Sequence, residues 1–217
     1  MLRHLAAALA ALTILAPAAQ AAPAAEPVTL PLAEAVDQLP ESAEDRTGYD
    51  RDLFKHWNAG LKRDGCDTRK EILISEAVEA PTVGARCKIT GGSWWSYYDE
   101  RTQTDVADLD IDHMVPLAEA WDSGASGWTA ARREAYANDQ GAEESLIAVT
   151  DRVNQAKGDQ DPAEWLPPAE GALCRYLSEW VGTKLRWELT ADDAETDTLR
   201  DLVGECARQT VTYEVAE

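Results

Sequence analysis

The sequence predicts an α+β domain, and three observations point to it. Short apolar runs at 106–113 and 146–149 have the length and alternation of strands and are interleaved with segments of helical spacing. Two longer helical patterns follow each other toward the C-terminus, over 173–187 and 191–208. The four cysteines, Cys66, Cys87, Cys174 and Cys206, sit in a chain that opens with an export signal, where an even count reads as two disulfides. At 217 residues, 45% hydrophobic and 28% charged, the chain can build a core, which excludes a disordered polymer.

The elements follow in chain order. Met1 to His4 carries positive charge, Leu5 to Leu15 is apolar, and Ala19-Gln20-Ala21 offers small residues for cleavage, so 1–21 reads as a secretory signal peptide. It is too short to span a membrane and ends its apolar run at Pro17, so the expected product is secreted and free of the membrane after cleavage. Residues 22–45 hold six acids and no base and read as a flexible acidic leader, with a short helix near 32–39. Leu53, Phe54, Trp57 and Leu61 fall at helical spacing and predict a helix over 50–63, ended by Gly65. Glu71–Ala77 and Ala85–Thr90 read as strands or extended segments around turns at Pro81 and Gly84.

Val106 to His113 alternates apolar and acidic residues, as a half-buried strand does, and puts Asp110 and Asp112 on one side of it. Helices are expected at 116–121 and 129–137, a strand at 146–149, and a helical turn or more at 151–157. Asp161 and Pro162 start a brief helix that Pro167-Pro168 stops. In the last helix, Thr190 with Asp193 approximates a capping box. Of the three possible disulfide pairings we take the sequence-local one, Cys66–Cys87 and Cys174–Cys206, buried free thiols being the alternative; there is no cluster for structural zinc.

Forty acidic residues against twenty basic give a net charge of −20, which excludes coating of nucleic acid by bulk charge. The charge is uneven: 46–70 carries seven bases and four acids, whereas the leader and 190–217 are acidic. Of the histidines after the signal, His56 reads as structural, while His113 ends a strand beside Asp112. Trp94-Trp95-Ser96-Tyr97-Tyr98 reads as aromatic packing around a turn, with base stacking as the other possibility.

Asp112-His113-x-x-Pro116, an apolar strand and Asn154-x-x-Lys157 together resemble the HNH endonucleases, also called His-Me finger or ββα-metal nucleases. The stretches 110–121 and 154–159, with Gly48-Tyr49-Asp50-Arg51 and Cys66-Asp67-Thr68-Arg69, are similar more narrowly to a secreted actinobacterial branch related to the GmrSD C-terminal nuclease domain; the likeness covers about 46–190. It implies a single nuclease domain over 46–213, with a His-Me finger (ββα-metal) core at about 106–157, additional helices and stabilising disulfides. His113 would be the general base, and Asp112 and Asn154 oxygen ligands of one divalent metal, Mg²⁺ or a similar ion such as Mn²⁺. Lys157 would neutralise a phosphate of the substrate.

Arg69, on a loop that a disulfide at Cys66 would pin, reads as a phosphate-binding or transition-state arginine, with a surface ion pair to Asp67 or Glu71 as the plain alternative; Arg51 reads similarly as substrate-binding. Ser145 stands where many of these nucleases have an Asn that holds the histidine, so a backbone carbonyl is left to orient His113. Glu119, on the next helix, reads as an exposed acid. The expected protein is a monomeric endonuclease acting on DNA, or on RNA, with little sequence specificity. The rivals are a Trp-rich glycan- or cell-wall-binding module and a cell-wall hydrolase built on carboxylates such as Asp110 and Glu119.

Overall fold

The computed structural model describes residues 26–216, so the expected signal peptide lies outside the described residues. The expected flexible leader is folded from Val28 onward. Val28–Pro31 forms β1, which pairs antiparallel with the C-terminal strand Thr210–Tyr213, and Leu32–Val36 forms α1. Leu32, Ala35, Val36 and Leu39 are buried in the main core, and this burial together with the β1 ladder opposes the ordering cost of the segment.

The expected helix over 50–63 is also absent. Only Arg51–Leu53 makes a single 3₁₀ turn, and Trp57 and Arg63 have left-handed backbone, with φ of 54° and 53°. Distant side chains take the amides that a helix would have used. Asn58 N donates to Asn138 Oδ1 at 2.9 Å, and Leu61 N and Lys62 N donate to the buried carboxylate of Glu71 at 2.8 Å each. Gly60, at φ +66°, is required there, because a Cβ would lie 2.5 Å from the Glu71 carboxyl carbon.

The segment read as extended at 71–77 is helical: α2 runs Thr68–Ser75, with Asp67 as its N-cap accepting from Lys70 N at 2.9 Å. A hairpin of β2, Thr82–Gly84, and β3, Lys88–Thr90, follows, then a second hairpin of β4, Trp94–Ser96, and β5, Arg101–Gln103. Trp94, Tyr97 and Tyr98 turn inward and Trp95 outward, which is the aromatic packing expected of that run.

The unit that positions the candidate site is β6, Leu109–His113, then α3, Leu117–Asp122, α4, Ala130–Ala137, β7, Leu146–Thr150, and α5, Asp151–Lys157. β6 and β7 pair antiparallel, with Asp112 opposite Ile147 and His113 opposite Leu146. Both faces of this ribbon are covered. Leu109, Ile111, Leu146 and Ala148 pack with Ile72, Leu73 and Trp94 in a smaller cluster, while Ile147 and Val149 join Val153 of α5 in the main core.

Asp161 accepts from Ala163 N and Glu164 N, but the chain there makes a turn rather than the expected helix. α6, Leu173–Trp187, matches its predicted bounds; α7 is Asp193–Leu202, shorter than expected, and its cap is Asp192, accepting from Glu195 N at 2.8 Å, not Thr190. β8, Thr210–Tyr213, closes the ladder with β1. The disulfides are Cys66–Cys87 and Cys174–Cys206, as the sequence-local pairing has it. Among the described residues no helix is long and apolar enough to cross a membrane.

Candidate functional site at the end of strand β6

His113 closes β6 with its ring enclosed. Trp57 stacks on it at 5.2 Å between centroids and 26° between planes, and Tyr136 lies at 6.4 Å and 22°. Nε2 is 3.0 Å from the carbonyl oxygen of Ala137, at the end of α4. That carbonyl takes the place of the missing Asn, because Ser145 points elsewhere, its hydroxyl donating to Asp139 at 2.7 Å. Burial pushes the imidazole down to about 3; the Ala137 carbonyl opposes the shift, and the charges of Arg51, His56 and Lys157 add to it. The ring is therefore neutral, and only 6% of the residue is exposed.

Asp112 points away from this ring. Its Oδ2 accepts from the Tyr98 hydroxyl at 2.6 Å and from the Lys157 ammonium, which also donates to the carbonyls of His113 and Met114 at 3.1 and 2.8 Å. Lys157 is wholly buried, with Tyr98, Tyr176 and Trp180 about its ammonium at 5.8–5.9 Å. Burial pushes the Asp112 carboxyl up and the Lys157 amine down, and the ion pair opposes both shifts. Lys157, expected to neutralise a substrate phosphate, is placed instead in a buried ion pair with all three of its acceptors inside the protein.

Asn154 meets Asp110 rather than Asp112: its Nδ2 donates to Asp110 Oδ2 at 3.4 Å, and both residues are half-buried. Among the described residues no hydrogen bond joins the side chains of Asp112, His113 and Asn154, and no ligand-distance group of three histidine, cysteine or acidic side chains includes Asp112 or His113. Arg69 does not face outward as a free guanidinium either; its Nη2 donates to the Leu109 carbonyl at 2.7 Å and anchors the start of β6. Arg51 is exposed on the His113 side, close enough for its charge to help depress that ring. Glu119, read as an exposed acid, is buried against Lys184 and Ser123 at 2.8 and 2.6 Å.

Sequence reasoning placed neither Tyr98 nor Trp57 in this region and could not say which carbonyl would hold His113, since no local signal marks them. Asp110 had one, the period of two that puts it beside Asp112. A cavity of about 750 Å³ is lined in part by Glu76, Trp95, Arg175 and Glu179, none of which belongs to the His113 surroundings.

Fold and site together define a disulfide-bonded α+β protein with a histidine fixed at the end of an antiparallel ribbon that runs into a helix. The chain belongs to the family of the GmrSD restriction endonucleases' C-terminal domain, which matches residues 70–202 and so contains Asp110, Asp112, His113, Asn154 and Lys157 but neither Arg51 nor Arg69. It is 40% identical over 206 residues to an "Uncharacterized secreted protein" of Arthroderma benhamiae, with 91% of this chain and 96% of that protein covered. That relative is fungal, so the narrower actinobacterial affinity finds no support. No solved structure matches. The secreted relative and the two disulfides agree that the protein is secreted.

Proposed function

We propose that the protein is a secreted endonuclease that uses a divalent metal to hydrolyse phosphodiester bonds, in DNA or in RNA, with low sequence specificity. The observation that carries this reading is the 3.0 Å contact of His113 Nε2 with the Ala137 carbonyl, in a chain of an endonuclease family. A carbonyl oxygen only accepts, so Nε2 carries the proton toward Ala137 and Nδ1 holds the lone pair. Nδ1 is then the atom that takes a proton from the attacking water.

With Trp57 over it, the ring is too dry to be an effective base. For Nδ1 to act, the loop around Trp57 would have to move aside, which would relieve the burial that holds the imidazole low. The described conformation is on this reading the closed one. Arg51, exposed on the His113 side, provides a cationic approach to the phosphate backbone.

The donor chemistry fits a hard cation. Asp110 and Asn154 offer a carboxylate and an amide side by side, and turning the amide over presents its oxygen to the same point. Asp110 and Asn154 would hold the metal, with Asp112 joining through Oδ1 because Oδ2 is committed to Tyr98 and Lys157. A bound Mg²⁺ or Mn²⁺ supplies charge stabilisation at the phosphate and the leaving oxygen. Arg69 serves this arrangement by holding the Leu109 carbonyl and with it the start of β6.

The test is to incubate the protein with supercoiled plasmid and with single-stranded RNA in Mg²⁺ or in EDTA. Metal-dependent appearance of nicked or shortened product is expected. Cleavage that persists in EDTA, or none with any divalent metal, contradicts the reading.

A further inference from the structure

Carboxylates of α3 and of two other parts of the chain gather around Glu44. Glu44, Glu119 and Asp122 each bring a carboxylate oxygen within 4.8 Å of the others, and so, as a second group, do Glu44, Asp161 and Asp192. Too few cations face them. Arg46 bonds Asp122 Oδ2 at 2.5 Å but is shared with Asp159, and Lys184 bonds Glu119 at 2.8 Å but is shared with Glu195. Partial burial and the charge of Glu119 together push the Glu44 carboxyl up to about 8.

One carboxylate in this group keeps an oxygen without a partner, while its other oxygen is held by Arg46. The Asp122 side chain is 1% exposed, and its Oδ1 is enclosed with no hydrogen-bond partner, although an enclosed carboxylate oxygen without a donor or cation is costly. Asp161 and Asp192 use only Oδ1 for their backbone amides, which leaves Oδ2 of each uncommitted.

We propose that Glu44, Glu119 and Asp122 bind one calcium-class divalent cation, with Asp161 and Asp192 adding negative charge from the other side of Glu44. The donors are all carboxylate oxygens, which selects a hard ion over zinc or copper. Ca²⁺ accepts several carboxylates in flexible geometry, whereas Mg²⁺ demands a near-ideal octahedron and keeps several of its waters, so a cluster made only of carboxylates suits Ca²⁺ better. The site joins Glu44 of the N-terminal segment to α3, close to the N-cap of α7, and so ties together parts of the chain far apart in sequence. It shares no residue with the β6 site and stands whether or not the protein cleaves nucleic acid.

The experiment uses the whole secreted chain, stripped with EGTA and titrated with CaCl₂ by calorimetry and thermal melting. The expected result is saturable binding of one Ca²⁺ at this site, with a Kd of roughly millimolar or tighter as for extracellular calcium modules, and a rise in Tm. Glu44→Gln, at an exposed position, should weaken that binding at least tenfold and remove the rise in Tm, and Asp122→Asn should do the same. Asp110→Asn should leave both intact, which separates this ion from any bound at β6. No calcium-dependent heat or Tm shift, or binding unchanged in both Glu44→Gln and Asp122→Asn, overturns the proposal.

Discussion

Replacing Lys157 with Met keeps the length and apolar stem of the side chain and removes only the ammonium. Asp112 then stays 4% exposed with Tyr98 as its one remaining side-chain partner, and the His113 and Met114 carbonyls lose their shared donor. Breaking a buried ion pair from one side costs about 3–5 kcal/mol. In a chain of this size each kcal/mol moves Tm by about 2–4 °C, so Lys157→Met should melt roughly 6–20 °C below wild type at pH 7. An exposed, phosphate-binding lysine would cost at most about 0.5 kcal/mol. Differential scanning calorimetry separates the two, and the double variant Lys157→Met/Asp112→Asn should recover much of the loss because the stranded charge is gone. A drop of less than about 2 °C in the single variant, or no recovery in the double, would refute the structural reading of this pair.

Further outcomes follow from the same geometry. Burial raises the Glu76 carboxyl from 4.5 to about 7, against the pull of the Ala148 amide at 2.7 Å. The folded state therefore holds a proton that the unfolded chain gives up, and stability should fall by up to about 1.4 kcal/mol per pH unit as pH rises from 4.5 to 7. Urea titrations across that range should show a flatter slope in Glu76→Gln. Asp110→Asn should abolish metal-dependent cleavage while shifting Tm little, since Asp110 is half-buried and outside the Lys157 pair; retained cleavage would remove Asp110 from the metal site. Replacing Cys66 and Cys87 by Ala frees a loop whose ends are 21 residues apart and should cost about 3 kcal/mol in denaturant titrations; an unchanged midpoint would show that the bridge constrains nothing.

Where the pattern of the chain is local, it was readable. The 15-residue α6 has its amphipathic stripe written in its own sequence, and β6 and β7 show as alternation and as a short apolar run. The misreadings arise where remote groups decide. Residues 50–63 have helical spacing, but Glu71 and Asn138 supply their amides with better partners. The isoleucines of 71–77 favour a strand in isolation, and the Asp67 cap turns them into a helix. The acidic leader folds because a partner strand waits at Thr210–Tyr213. At the site, a backbone carbonyl holding His113 in place of an amide was anticipated in kind, but Ala137 lies 24 residues on and could not be named. Lys157 read as a substrate contact because nothing in its surroundings in sequence announces the Tyr98, Tyr176 and Trp180 shell that buries it.

The nuclease account rests on Nδ1 of His113 as the base, and the most direct measurement is single-turnover cleavage of plasmid DNA by wild type and His113→Ala in saturating Mg²⁺, with folding checked by circular dichroism. Loss of a positioned general base should slow the step by about 10²–10⁴-fold in a variant that keeps its fold. A folded His113→Ala protein that cleaves at the wild-type rate contradicts the account.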